Sequence, residues 1–130
     1  MLTNLTIIIV FIALVIASVL DIKTREVPDW LNYSLIIIGV GIALIHSSIS
    51  LNTSYISNSL LGLIVCLVIG FGMFYGAQWG GGDSKMLFGL GSLIGLDLVK
   101  WPFLVNFLIN SLFVGSIYGL MWSVYLVLKN

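Results

Sequence analysis

The feature that most constrains this chain is a series of apolar runs with no charge inside them. Leu5–Leu20, Trp30–Ile45, Leu60–Trp79, Met86–Leu96 and Phe103–Leu128 contain no Asp, Glu, Lys or Arg. In hydrocarbon every backbone N–H and C=O must be satisfied within the chain, so such runs fold as helices. A lipid-facing barrel needs segments of about ten residues with alternating hydrophobicity, and these runs do not alternate. Composition agrees: 60% of residues are hydrophobic and 8% charged, whereas soluble domains carry about 25% charged residues. A water-soluble globule and a disordered chain are both excluded. The net charge is zero, which leaves no basic stripe for nucleic acid.

The sequence therefore predicts an all-α, polytopic transmembrane bundle forming a single domain over residues 1–130. It has about five spans, or four if Met86–Leu96 is re-entrant. That run is short for a crossing unless it tilts little or sits inside the bundle. The first run extends back to Leu2 and has no basic residue before it, so it reads as a retained span and not a cleaved signal. Pro28 breaks the chain between the first two runs. His46–Ser59 reads as a loop or a partly helical linker. With five spans, Lys23, Arg25, Lys85 and Lys129 fall on one side and Lys100 on the other, which places the first group in the cytoplasm and the N-terminus outside. Gly72-Gly76-Gly80, Gly91-Gly95 and Gly115-Gly119 are each four apart, a spacing expected to bring helix backbones together. Trp30, Trp79, Trp101 and Trp122 sit mostly near span ends, where interfacial belts form. Cys66 reads as a small buried hydrophobe, and His46 falls on the outer side.

Ionisable groups at the edge of a membrane segment are costly and ask for a function. Asp21 closes the first span, and Asp83 follows Gly80, Gly81 and Gly82. Both fall on the cytoplasmic side. Two close carboxylates share a proton, so one can activate water while the other polarises a peptide carbonyl. Glycines before Asp83 would let an extended backbone approach. The helix dipole favours ionised Asp83 as the base and protonated Asp21 as its partner. Proton carriage in a small transporter is the competing reading, as is a non-catalytic assembly subunit.

Gly80-Gly81-Gly82-Asp83 fits the GxGD motif of membrane aspartyl proteases. With Ser84-Lys85 and the following Met-Leu-Phe-Gly-Leu-Gly, it resembles the type IV prepilin peptidase and preflagellin peptidase form. Asp21-Ile-Lys-Thr-Arg-Glu-Val-Pro-Asp-Trp-Leu-Asn32 resembles that family's other catalytic stretch, so Asp21 and Asp83 fall on its two catalytic positions. The resemblance implies an aspartyl endopeptidase, without metal or cofactor, in a prokaryotic cell membrane. It would remove the short basic leader of a prepilin-like or preflagellin-like precursor at the cytoplasmic face. Glu26 and Asp29 would attract the leader's basic residues, and Lys85 occupies a motif position. With one cysteine the chain has no Cys-x-x-Cys insert, so no methyltransferase activity is expected. A presenilin-like protease that cuts within other transmembrane helices is the alternative the motif allows.

Overall fold

The structure is a computed structural model and describes residues 4–100 and 102–130, so Leu2 and Trp101 lie outside the described residues. Among the described residues five helices follow one another: α1 (Asn4–Thr24), α2 (Asp29–Ser50), α3 (Ser54–Tyr75), α4 (Gly81–Ile94) and α5 (Phe103–Lys129). No strand occurs among the described residues. The protein is an all-α membrane bundle in which α1, α2, α3 and α5 are long and apolar enough to cross a bilayer. The fifth run, α4, has 14 residues. At 1.5 Å per residue it reaches about 21 Å, short of a hydrocarbon core of ~30 Å.

Helix α4 is the centre of the bundle. Met86, Leu87 and every residue from Gly89 to Ile94 are buried, while the large apolar side chains of α1, α2 and α3 mostly face outward. Its principal partners are α3 and α2, with α1 touching through Val10, Ala13 and Ala17. The ends alternate along the chain. The start of α1, the end of α2, the start of α3 and the end of α4 meet around Thr6, His46, Tyr55 and Gly95. The opposite ends meet around Asp21, Asp29 and Gly80. Helix α5 docks by its first turns, where Leu104 is fully buried, and is exposed from Ile109 onward.

Close approach happens at glycines, but largely not at the expected ones. A Cβ on Gly91 would lie 2.5 Å from Gly62 O and 2.6 Å from Cys66 Cβ, so α3 and α4 cross with backbones in contact. Gly39 meets Ser92 and Gly89 meets Leu35 in the same way across α2 and α4. Gly72, Gly115 and Gly119 have open space around them, and Gly72, Gly76 and Gly80 do not share one helix. The four-residue spacing identifies a face but not whether another helix covers it. Buried hydroxyls add to the α3–α4 contact, with Ser59 Oγ donating to Ser92 O at 2.7 Å.

The His46–Ser59 segment is partly helical, the second of its two expected readings. Only residues 51–53 separate α2 from α3. The polar side chains splice the helices together: Ser48 Oγ bonds back to Leu44 O, Ser47 Oγ accepts from Ile56 N, and Asn52 Oδ1 accepts from Ser54 N. The third span stops at Tyr75, short of Trp79, because Gly76 and Ala77 turn the chain, the latter at φ 54°.

Candidate active site

The charged end of the bundle is an open cleft of about 630 Å³. Asp21, Glu26, Asp29, Gly80, Gly81, Gly82, Asp83 and Lys85 all line it, joined by Arg25, Val27 and Pro28. Every residue singled out from the sequence for this site is therefore drawn into one place by the tertiary fold.

Local structure explains the arrangement. Asp21 lies in the last turn of α1, and Arg25 N donates to Asp21 O at 2.7 Å. Arg25 takes φ 57°, the left-handed turn that ends a helix. Thr24 Oγ1 lies 2.8 Å from Leu20 O and 3.0 Å from Glu26 O, pinning the exit from α1. Pro28 is extended and starts α2, putting Asp29 in its first turn, where the helix dipole favours an anion. Lys85 Nζ donates to Asp29 Oδ1. This pair ties α4 to α2 and holds Lys85 above the usual lysine range. Asp29 is thus engaged within the chain, while Glu26 remains exposed at the rim.

The three glycines are not a loop. Gly80 is the extended N-cap of α4, and Gly81 and Gly82 form its first turn with Asp83. Only Gly82 is tightly enclosed: a Cβ there would come within 3.3 Å of Val27 N and Val27 Cβ. Its missing side chain lets the loop after Asp21 close against the turn that carries Asp83.

Asp83 is raised above the ordinary aspartate range. Burial is the main cause and the charge of Asp21 the second; a hydrogen bond to the Gly80 backbone opposes both. Both causes favour the protonated form of Asp83, against the pull of the helix dipole.

Two apolar spaces adjoin the cleft. One, of about 210 Å³, lies between α4 and α5 and reaches Asp83. The other, of about 220 Å³, lies between α2, α3 and α4 and includes Asn32. Asn32 is a residue sequence reasoning missed. It is buried, with neither carboxamide atom hydrogen-bonded. In the sequence it is the last residue of the stretch that begins at Asp21 and a polar side chain early in an apolar span. The His46 ring lies tilted against Tyr55 at the opposite end, away from the cleft.

Comparison with known proteins adds an independent line. The model described as the type IV leader peptidase family matches residues 8–120. A preflagellin peptidase of Methanococcus maripaludis is 41% identical over 83 residues, covering 64% of this chain and 36% of that protein. One from Methanocaldococcus jannaschii is 43% identical over 83 residues, covering 64% and 35%. One from Methanococcus voltae is 31% identical over 135 residues, covering 92% and 55%. The chain thus spans between about a third and about half of the length of these curated relatives.

Proposed function

Because the chain belongs to the type IV leader peptidase family, we propose that it is an aspartic endopeptidase, with Asp21 and Asp83 as its catalytic pair. Its five helices form one integral-membrane peptidase domain. The substrate is a prepilin-like or preflagellin-like precursor, cut between its short basic leader and its apolar helix. The observation that carries the reading is the convergence of Asp21 and Asp83, 62 positions apart in sequence, in one cleft.

In the mechanism Asp83, whose pKa is raised, carries the shared proton. A water between the carboxyls loses a proton to ionised Asp21 as its oxygen attacks the scissile carbonyl carbon. Protonated Asp83 donates to the carbonyl oxygen. The resulting tetrahedral diol collapses: one hydroxyl returns its proton to Asp83 as C=O reforms, the C–N bond breaks, and the leaving amine takes a proton from Asp21. No covalent intermediate forms. Glu26 at the rim supplies negative charge for a basic leader, and the Lys85–Asp29 pair positions α4 against α2. The cleft end carries Lys23, Arg25 and Lys85, so the positive-inside rule puts it at the cytoplasmic face of the cell membrane.

Asp21→Asn and Asp83→Asn are each expected to lower processing of a co-expressed precursor by at least about 10²-fold, the scale of general acid–base catalysis, with normal accumulation of the protein. Normal processing by either variant would refute the paired mechanism. Proton or solute flux in liposomes without processing would favour a transporter. Products cut inside the substrate helix would favour a presenilin-like protease.

A further inference from the structure

Asn32 is 2% exposed, and neither its side-chain oxygen nor its nitrogen has a hydrogen-bond partner. Leaving both halves of a buried carboxamide unpaired is unfavourable, and such a group asks for an explanation. Its position supplies one. Asn32 lies in the first turn of α2 and lines the 220 Å³ cavity walled by Tyr33, Ile36, Phe71, Phe74 and Phe88. Gly81 and Lys85 border both this cavity and the acidic cleft, so the two spaces are neighbours. Tyr33, Phe71 and Phe74 are all substantially exposed, so the wall reaches the outer surface of the bundle.

The chemistry of the cavity selects its occupant. A carboxamide offers a donor and an acceptor, the complement of one peptide unit. A purely apolar ligand would leave it unpaired, and a simple ion would satisfy one half. The interior of a helical peptide pairs with it poorly, because its N–H groups are already bonded within the helix. An extended apolar segment satisfies both demands, with its backbone on Asn32 and a side chain among the aromatic rings. The competing groove between α4 and α5 has no buried unpaired polar side chain among the described residues.

Resting on the peptidase reading above, we infer that Asn32 is a substrate-binding residue. Its carboxamide holds one peptide unit of the apolar segment that adjoins the scissile bond. That segment is unwound to an extended form and lies against α2 and α3. Asn32 thereby selects for a substrate helix that can open at its end.

The test uses a labelled precursor peptide that spans the junction. Binding is measured on Asp83→Asn protein in detergent micelles, where the peptide is held and not cut. Adding Asn32→Leu, close in size, is expected to weaken the dissociation constant about tenfold, the loss of one or two hydrogen bonds to a buried amide. In the active protein KM rises by a similar factor and kcat changes less than about threefold. Thermal stability stays level or rises, because an unpaired buried polar group has gone. Asn32→Thr, which keeps a donor and an acceptor, is expected to bind within about threefold of the parent and serves if the leucine variant fails to fold. A photo-crosslinker on the first apolar residue of the peptide is expected to capture Tyr33 or Phe71. Unchanged binding and KM with lowered stability would overturn the inference and make Asn32 structural. Capture of Phe107 would overturn it in favour of the other groove. If Asp83→Asn protein still cleaves, the peptidase mechanism fails. If that variant is inactive while Asn32→Leu binds like its parent, only the role of Asn32 fails.

Discussion

Asp83 shows how one side chain's surroundings decide the direction of the proposed chemistry. Its folded pKa lies above its unfolded one, so the folded protein holds this proton more tightly than the unfolded chain does. The associated stability is fully present below the ordinary aspartate range and is lost as pH rises through the raised value. Activity needs the shared proton, so the alkaline limb of the rate profile is expected to sit above the ordinary carboxylate range. Asp21→Asn removes the second cause of the shift and leaves burial in place. Carbon-13 titration of the Asp83 carboxyl is expected to show a lower midpoint in Asp21→Asn protein than in the parent. An unmoved midpoint would mean the two carboxyls do not interact. The two aspartates are legible in the sequence because their motifs are local strings. Asn32 stands in one of those strings and is not legible as a site, since nothing in a string says whether a carboxamide has a partner.

Among the elements, α4 shows where pattern reading succeeds and where it stops. Its length marks Met86–Leu96 as too short to span comfortably, and the structure puts α4 at the bundle centre, where neighbouring helices cover it. Small residues make that position possible. Gly91→Ala would drive a methyl group into Gly62 O and Cys66, and overpacking of this kind costs about 1–3 kcal/mol. Thermal unfolding in detergent is expected to show a clear drop in Tm for Gly91→Ala. Gly115→Ala, where nothing lies within 4 Å, is expected to leave Tm level or raise it slightly, as alanine is the better helix former. Equal effects at the two positions would contradict the α3–α4 crossing. The sequence offers both glycines on equal terms, because a spacing of four describes one helix and not its neighbour. The same limit left the segment after His46 open between a loop and a partly helical linker, and side-chain hydrogen bonds carry both helices into it.

At the scale of the whole molecule, alternating helices gather one set of chain ends around the charged cleft and the other around His46 and Tyr55. In a Cys66→Ala background, a cysteine at Glu26 is expected to react with a membrane-impermeant maleimide from the cytoplasmic side, and one at Asn52 from the outside. Labelling of the Glu26 position from outside would overturn the proposed orientation. The sequence by itself determined that the protein is helical and membrane-embedded, and that its charge is concentrated at a few helix ends. Hydrophobicity and backbone hydrogen bonding act locally along a chain, so no partner needs to be known to read them. Only the tertiary structure decided that Asp83 shares a cleft with Asp21, that Gly62 and Gly91 are the glycines in contact, and that Asn32 lines an apolar cavity beside the cleft. Burial and pairing depend on which helix lies opposite, and that is set by packing in three dimensions.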